Sequence, residues 1–179
     1  YVADHWKGRE WISGFDGSAG VAVVTMHGSA LWTDSRYFLA AEKQLGGTEF
    51  QLMKLKMPGT PTLAEWIGSQ LDGNSEVGVD GTVNSYSFVE NLISDLRHEG
   101  GITVRLNLDP LKFIWKDRPS IPNNKVVIQP LEYTGEDTRS KITRIKSELH
   151  KIHCDGMLVS ALDDIAWILN LRGTDVHCN

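Results

Sequence analysis

The spacing of apolar residues predicts that the chain opens with a short helix and a β-hairpin. Residues 9–15 place Trp11, Ile12 and Phe15 at helical spacing, and a turn at residues 16–18 leads into an apolar run over residues 21–25. Residues 30–33 then return the chain as a second strand. A helix follows whose apolar positions keep helical spacing until a Gly-Gly pair ends it: Tyr37, Phe38, Ala41, Leu45, Gly46 and Gly47.

Strand and helix patterns continue to alternate as far as residue 115. Residues 50–55 are typical of a strand, and Thr62 with Glu65 predicts a capping box at the start of a helix. After a short strand at residues 77–79, residues 87–90 repeat the capping signature before another helix. The remaining signals are a Gly-Gly stop, an alternating strand and a helix opened by Asp-Pro: Gly100, Gly101, Ile102, Val104, Leu106, Leu108, Asp109, Pro110 and Trp115.

This order of elements predicts an α/β fold in which helices flank a mixed sheet. Strands that alternate with helices are typical of parallel crossovers, whereas the early hairpin adds an antiparallel pair. Prolines and asparagines between residues 119 and 124 mark the best candidate for a linker. We therefore predict a first domain over residues 1–122 and the beginning of a second domain over residues 123–179.

The predicted second domain holds about one strand-helix-strand unit. Apolar residues at helical spacing between 142 and 152 predict a helix, and residues 157–159 predict a strand. Asp163 or Asp164 is predicted to cap the segment that contains Trp167. Because so small a unit cannot close a core of its own, we expect the second domain to be cut short at Asn179.

A weak internal repeat connects the two predicted domains. Five positions recur at a constant offset of 156 residues: Trp11-Ile12, Phe15, Gly17 and Ser18 match Trp167-Ile168, Leu171, Gly173 and Thr174. The shared pattern is a Trp-Ile helix that ends in a glycine turn before a strand. It favours a duplicated domain, and chance reuse of a common helix-to-strand connection is the alternative.

Composition and charge exclude several classes of function. The 179 residues carry a net charge of -5, so we do not expect the basic surface with which proteins bind nucleic acid. No apolar run approaches the roughly 20 residues that span a bilayer, which excludes a membrane protein. Two cysteines, Cys154 and Cys178, and the lack of a signal-like segment favour a reducing compartment, which we predict to be the cytoplasm.

Arg36 is the residue best placed to bind a ligand. It follows the second predicted strand, with Asp34 two positions before it and Tyr37 beside it. A guanidinium at that position could hold a peptide carbonyl or a carboxylate through paired hydrogen bonds. An arginine near an aspartate is more often part of an ion pair at a helix start, and spacing alone favours that structural role.

The patterns for catalysis or metal binding are weak. Three possible metal ligands cluster at His150, His153 and Cys154, with His177 and Cys178 near them in sequence, but C-x-x-C and H-E-x-x-H motifs are both lacking. The adjacent carboxylates at 163 and 164 point to different sides of a helix, so they cannot act as a pair. Nucleophile-elbow, P-loop and dinucleotide motifs are lacking as well. We predict no catalytic residue and no metal ligand in this chain.

Three segments are more specific than the rest of the sequence. They are W-I-S-G-F-D-G-S-A-G at residues 11–20, W-T-D-S-R-Y-F at residues 32–38 and L-D-D-I-A-W-I-L-N-L-R-G at residues 162–173. Together they resemble the amino-terminal region of three-domain Xaa-Pro aminopeptidases (aminopeptidase P, peptidase family M24), although Ser35 stands where those enzymes commonly have glycine. The resemblance covers nearly the whole chain. It implies a creatinase/prolidase N-terminal fold, followed by the start of a second domain of the same fold.

The resemblance implies an accessory role in a metallo-exopeptidase that releases the amino-terminal residue from peptides with proline in second position. In that family two divalent ions, usually manganese, bind in a catalytic domain that this chain does not contain, and activate the attacking water there. By the same resemblance, Arg36 contacts the bound peptide, and these domains narrow the substrate groove and add surface to a homodimer. We expect this chain to bind no metal, to be inactive alone and to pair with its own catalytic domain.

Two other functions stay open at this point. The chain could be a stand-alone interaction module that keeps the fold without enzymatic activity. It could also be the first domain of a related enzyme such as prolidase or creatinase. The second and third of the specific segments favour the three-domain aminopeptidase, because the related enzymes resemble two-domain proteins.

Overall fold

The computed structural model describes residues 2–176, which form two units. One unit comprises residues 6–119, and the other comprises residues 2–5 together with residues 120–176. The predicted domain boundary at residue 122 stays a prediction. No helix within residues 2–176 combines the length and the apolar character needed to cross a bilayer.

Both units consist of short strands and helices. After a 3-10 turn at Asp4–Trp6, the larger unit contains α1 (Gly8–Ser13), β1 (Val21–Val24), β2 (Ser29–Thr33), α2 (Phe38–Leu45), β3 (Phe50–Lys54), α3 (Leu63–Gln70), β4 (Glu76–Gly78), α4 (Tyr86–His98), β5 (Thr103–Arg105) and α5 (Leu111–Ile114). The smaller unit contains β6 (Val127–Ile128), α6 (Leu131–Thr134), α7 (Thr138–Lys151), α8 (Leu162–Leu169) and β7 (Leu171–Arg172).

The larger unit is built on a three-stranded mixed sheet with the strand order β1-β2-β3. β1 and β2 are the antiparallel hairpin that the sequence predicts, with Val21 opposite Trp32. β3 lies parallel to β2, with Lys54 opposite Thr33, and β4 and β5 form a separate parallel pair. The prediction of an α/β fold with a mixed sheet flanked by helices is confirmed.

β2 lies at the centre of the core, and all five of its residues are buried. Because alternate side chains of a strand point to opposite faces, Leu31 enters one hydrophobic cluster while Ala30 and Trp32 enter another. Leu31 packs with Phe15 and with residues of α2, whereas Ala30 and Trp32 pack with residues of α3 and α4. Burying one side chain as large as Leu31 contributes roughly 1.5–3 kcal/mol.

α3 begins at the capping box that the sequence predicts. The Thr62 hydroxyl accepts a hydrogen bond from the Glu65 N–H at 3.2 Å, and the Glu65 carboxylate accepts one from the Thr62 N–H at 2.7 Å. The second bond lowers the pKa of Glu65. The cap fixes the start of the helix that buries Trp66, whose ring meets Trp32 edge-on with centroids 5.6 Å apart.

α4 begins two residues earlier than predicted. Ser85, rather than Ser87, is the N-cap, and its hydroxyl accepts a hydrogen bond from the Phe88 N–H at 3.3 Å. Both serines can cap a helix, and the sequence Ser-Tyr-Ser does not show which of them takes the extended conformation. The end of the helix is predicted correctly, since Gly100 and Gly101 both have positive φ angles there, 144° and 74°.

β5 is shorter than the alternating pattern of residues 102–108 suggests. Its partner β4 is only three residues long, so the parallel ladder ends at Arg105. Ile102 precedes the strand and is buried in the core cluster. Beyond the ladder a single antiparallel bridge joins Asp80 to Asn107.

The smaller unit differs more from the prediction. Residues 157–159 are not a strand: Met157 and Leu158 are exposed, and no strand lies beside them in the described residues. Instead β6, which follows the predicted linker, pairs antiparallel with β7. Between residues 120 and 176 no apolar side chain is buried, and the buried residues there are Lys141 and Asn170.

The two units end one helix each in the same way. Gly14 follows α1 and Asn170 follows α8, and both residues are C-caps in the left-handed conformation, with φ angles of 73° and 52°. Each donates its N–H to the carbonyl four residues earlier, Glu10 in one case and Ala166 in the other. These caps are separated by the same 156 residues as the sequence repeat, so the repeat has a structural counterpart.

Candidate functional site

Arg36 lies in the turn between β2 and α2, where Asp34 orients it. The Arg36 Nε and Nη2 atoms donate hydrogen bonds to the two carboxylate oxygens of Asp34 at 2.9 and 2.8 Å, and the Arg36 backbone N–H donates to Oδ1 at 3.1 Å. The sequence prediction of an ion pair at this helix start is confirmed. The same contacts leave the side chain of Arg36 66% exposed.

This ion pair favours the charged forms of both partners. Hydrogen bonding to Arg36 lowers the pKa of Asp34, and hydrogen bonding to Asp34 raises the pKa of Arg36. The guanidinium has five N–H donors, of which Asp34 takes two. Within residues 2–176 no other side-chain hydrogen bond of Arg36 is formed, so the arrangement can bind a further acceptor such as a carbonyl or carboxylate.

Tyr37 connects the Arg36 turn to the loop before β1. Its hydroxyl lies 2.6 Å from the Ser18 hydroxyl, and this hydrogen bond lowers the pKa of Tyr37. The Arg36 guanidinium lies over the Tyr37 ring at 5.2 Å from its centroid, and the Phe15 ring meets Tyr37 edge-on with centroids 6.0 Å apart. The guanidinium is therefore held by Asp34 on one side and by an aromatic face on another.

The loop from Gly14 to Gly20 is fixed by bonds from several elements. Arg9 on α1 donates to the Gly20 carbonyl at 2.9 Å and also to the Gly17 carbonyl. The Thr33 hydroxyl at the end of β2 donates to the Ala19 carbonyl at 2.7 Å. On the α2 side, Gln44 donates to Asp16 at 2.7 Å. The loop beside the Arg36 turn is thus held in place by hydrogen bonds from α1, β2 and α2.

The guanidinium of Arg9 is partly buried and loses part of its solvation. Desolvation lowers the pKa of Arg9, and its guanidinium lies 5.5 Å from the centroid of the Phe15 ring. Its Nε atom is buried and has no hydrogen-bond partner among residues 2–176. Sequence reasoning did not identify Arg9 or Ser18 as parts of this site. No local motif could have found them, because their partners lie 8 to 19 residues away.

The histidine-cysteine cluster of the smaller unit does not assemble a metal site. α7 ends at Lys151, and His153 follows in the left-handed conformation with φ 55°, which separates it from the face that carries His150. Within residues 2–176 no three His, Cys, Asp or Glu side chains come together as ligands, and Cys154 is an exposed free thiol. His177 and Cys178 lie outside the described residues.

The predicted aspartate cap of α8 is wrong. Ala161 is the N-cap and makes no side-chain cap bond, while Asp163 and Asp164 lie in the first turn of the helix. Asp163 Oδ1 accepts a hydrogen bond from the Asp164 N–H at 3.1 Å. Carboxylates in a first turn still favour the helix through its dipole, which explains why the local sequence suggested a cap there.

A buried lysine orders the far end of the same helix. Lys141 on α7 donates to the Trp167 carbonyl at 2.7 Å and to the Asn170 side-chain oxygen at 2.6 Å, and its ammonium lies 4.4 Å from the Trp167 ring centroid. Asn170 in turn donates to the Glu136 carbonyl at 2.9 Å. Two of the three donors of the lysine have oxygen partners and the Trp167 ring lies beside the ammonium, so the group is a structural contact rather than a free nucleophile.

Two protein-family models with the same description match the two parts of the chain. A family model for a creatinase/prolidase N-terminal domain matches residues 5–104, and a second model with the same description matches residues 117–179. The first match alone covers more than half of the chain.

Curated relatives match the chain along its whole length. It is 44% identical to a probable Xaa-Pro aminopeptidase P of Fusarium vanettenii, over 100% of this chain and 29% of the relative, and 42% identical to aminopeptidase P2 of Arabidopsis thaliana, over 98% and 25%. Among solved structures, an X-prolyl aminopeptidase of Caenorhabditis elegans, described as a cytosolic enzyme with a di-nuclear active site, is 33% identical with a TM-score of 0.78, over 98% of this chain and 29% of that one. The chain therefore spans less than a third of the length of these relatives.

Proposed function

Because the chain belongs to the creatinase/prolidase N-terminal domain family, we propose that it is the non-catalytic amino-terminal portion of a Xaa-Pro aminopeptidase. The observation that carries this proposal is the match over 98% of the chain to an X-prolyl aminopeptidase structure with a TM-score of 0.78. Relatives named as aminopeptidases P support it at 41–44% identity. The substrates are then peptides with proline in second position.

On this proposal, peptide hydrolysis is carried out by a catalytic domain whose residues are not in this chain. The related nematode enzyme has a di-nuclear active site, and we propose two divalent ions, manganese by family resemblance, for the whole protein. The described residues do not fit such a centre, because within residues 2–176 no set of three His, Cys, Asp or Glu side chains converges. We therefore assign the metal ligands to the catalytic domain and expect this chain alone to release no amino acid.

Arg36 is proposed to contact the bound peptide. It is held by Asp34 and by the Tyr37 ring, yet most of its side chain is exposed and three of its five donors have no bond to Asp34. A guanidinium held in this way loses little conformational freedom on binding a peptide carbonyl or carboxylate. The fixed loop from Gly14 to Gly20 would then form part of the wall of the substrate groove.

Three further parts of the proposal concern the whole protein. We propose that these domains narrow the substrate groove, that they add surface to a homodimer and that the protein acts in the cytoplasm. The cytoplasmic location is supported by the description of the nematode relative as a cytosolic enzyme. The homodimer rests on the family resemblance alone, and sedimentation of the complete protein tests it.

The experiment that tests the proposed function compares this 179-residue chain with the complete natural protein. Release of the first residue from Arg-Pro-Pro is measured for both, with and without manganese. We expect metal-dependent release by the complete protein and none by the chain alone. Activity in the chain alone would contradict the accessory role, and inactivity of both would favour a stand-alone interaction module.

Variants of the complete protein test the role of Arg36. Arg36→Gln removes the charge and the guanidinium but keeps a polar side chain, and we expect it to raise KM for Arg-Pro-Pro more than it lowers kcat. Arg97→Gln removes an exposed arginine from the last turn of α4 and is the matched control. Equal kinetics for Arg36→Gln, Arg97→Gln and the natural enzyme would refute a peptide contact by Arg36.

A further inference from the structure

A second cation lies at the same sheet edge as Arg36. β2 and β3 are parallel, so their carboxyl ends meet at one edge, and the Leu55 N–H extends the ladder by donating to the Thr33 carbonyl at 3.0 Å. Adjacent strands are about 4.8 Å apart, so the turn after β3 runs beside the turn that carries Asp34 and Arg36. Lys56, in the turn after β3, is exposed there.

Lys56 occupies a backbone position that disfavours lysine. Its φ angle is 66°, in the left-handed region that glycine and asparagine adopt most readily. Within residues 2–176 the other non-glycine residues with positive φ are Asn74, His153 and Asn170. Glycine or asparagine would fit this turn with less strain than lysine. Lysine therefore carries a conformational cost at this position, and this cost points to a function of its charge.

The charges at this edge do not cancel. Asp34 is the carboxylate at this edge, and both Arg36 and Lys56 help to lower its pKa, with the Arg36 hydrogen bond as the largest cause. The next lysine along β3, Lys54, is already paired with Glu42 at 2.5 Å. Two cations and one carboxylate leave an excess of one positive charge, which suits an anionic group better than a neutral carbonyl.

The surface around Lys56 is also partly apolar. Leu55 and Met57, on either side of it in the chain, are 41% and 49% exposed. Such a surface can contact the rings of prolyl residues while the ammonium reaches a charged group nearby. The combination fits a short proline-containing peptide that carries a carboxylate.

We propose that Lys56 and Arg36 together bind a carboxylate of the peptide on the carboxyl-terminal side of its proline. This inference rests on the proposed function and adds a substrate preference to it. The carboxylate can be the terminal carboxylate of a short peptide or the side chain of an acidic residue, since both present the same two oxygens to the pair of cations. Lys56 acts as a point charge here, and Arg36 supplies the directed hydrogen bonds.

The test uses three peptides with the complete enzyme at low ionic strength: Arg-Pro-Pro, its carboxyl-terminal amide, and Arg-Pro-Asp-amide. We expect KM for the free acid to be lower than for Arg-Pro-Pro-amide by roughly threefold to tenfold, with similar kcat. This difference should shrink at high salt because both cations are exposed. A gain for Arg-Pro-Asp-amide as well would identify any nearby carboxylate as the ligand, and a gain confined to the free acid would identify the peptide terminus.

Three variants separate charge from structure. Lys56→Asn removes the charge but suits the left-handed turn, so we expect it to fold normally and to lose the preference for the free acid. Lys56→Arg should retain the preference. Lys116→Asn, which removes an exposed lysine from another turn of the same unit, should behave as the natural enzyme.

The outcomes distinguish this inference from the proposed function. Proline-dependent release with equal KM for the acid and the amide, or a preference that survives Lys56→Asn, overturns the carboxylate site and leaves the aminopeptidase intact. Loss of activity by Lys56→Asn on acid and amide alike also overturns it, because that result indicates a structural role. If the complete protein releases nothing from any of the peptides, the proposed function fails and the carboxylate site fails with it.

Discussion

Replacing Gly17 by alanine should destabilise the larger unit through one side chain, Phe15. A Cβ atom added at Gly17 would overlap the Cζ atom of Phe15 and lie 2.9 Å from its Cε1 and Cε2 atoms. The ring has little room to move, because it is fully buried and lies between the Arg9 guanidinium and the Tyr37 ring. The strain must therefore pass to the side chains that hold Arg36 in place.

The size of the effect follows from two opposing terms. Forcing an extra carbon into a well-packed site costs about 1–3 kcal/mol. Gly17 does not have a left-handed backbone, so alanine also stiffens the unfolded chain, which returns about 0.4–1 kcal/mol. We expect a net loss of about 1.5 kcal/mol in the free energy of unfolding.

Urea unfolding of the 179-residue chain, followed by tryptophan fluorescence, measures this loss. Gly28→Ala is the matched control, because its added Cβ would meet Gln70 and Trp66 at ordinary distances of 3.7 and 4.0 Å. We expect the control to change the free energy of unfolding by less than about 0.5 kcal/mol.

A double-mutant cycle identifies Phe15 as the cause. Phe15→Leu alone should cost roughly 1–2 kcal/mol, less than the 3–5 kcal/mol of a change to alanine, because leucine refills part of the space. In the Gly17→Ala background the same change relieves the overlap, so the two losses should fall short of additivity by at least about 1 kcal/mol. Additive losses, or a loss below about 0.5 kcal/mol for Gly17→Ala, would refute the packing argument.

Three other predictions concern polar contacts. Lys141→Met should lower the free energy of unfolding by about 2 kcal/mol in urea titrations, because two acceptors lose their donor. It should also speed amide exchange at Asn170. An unchanged free energy of unfolding would show that the contact is dispensable. Since Arg36 lowers the pKa of Asp34, their pair stabilises the native state above the unfolded pKa of the aspartate and stops doing so as pH falls through the folded pKa. In Arg36→Gln, carboxyl NMR should show a higher Asp34 pKa, and an unshifted value would contradict the assigned cause. Thr62→Ala should cost about 1 kcal/mol in the same urea assay, and a loss near zero would mean that water replaces the cap.

Local signals in the sequence predicted the features whose partners are close in the chain. The capping box of Thr62 and Glu65 spans three residues, and the ion pair of Asp34 and Arg36 spans two, so spacing alone identifies both. The hairpin of β1 and β2 follows from two apolar runs separated by a turn. These features depend on short-range geometry that a residue pattern encodes.

Contacts between distant residues could not be predicted in this way. The bond between Ser18 and Tyr37 joins residues 19 apart, and the bond of Lys141 with Asn170 joins residues 29 apart. Neither pair belongs to a motif with a fixed spacing. A lysine in a hydrophilic helix is ordinarily exposed, so the burial of Lys141 contradicts its composition-based expectation.

The errors in the smaller unit have a common physical cause. Short apolar runs such as residues 157–159 become strands only when a partner strand lies beside them, and no strand of the described residues does so. The sequence pattern does not predict β6, because Val127 and Ile128 form a two-residue strand whose pairing depends on β7, more than 40 residues later. The left-handed backbone of Lys56 could not be predicted from the sequence either, because lysine carries no signal for that conformation.

The complete burial of β2 has a consequence for solubility. When the larger unit opens, Ser29–Thr33 exposes a short uncharged segment of a kind that can pair with the same segment of another molecule. The first charged residues after it are Asp34 and Arg36, which stand where gatekeeper charges interrupt such pairing. We therefore expect the residues that shape the proposed peptide contact in the native state to limit aggregation of the unfolded chain as well.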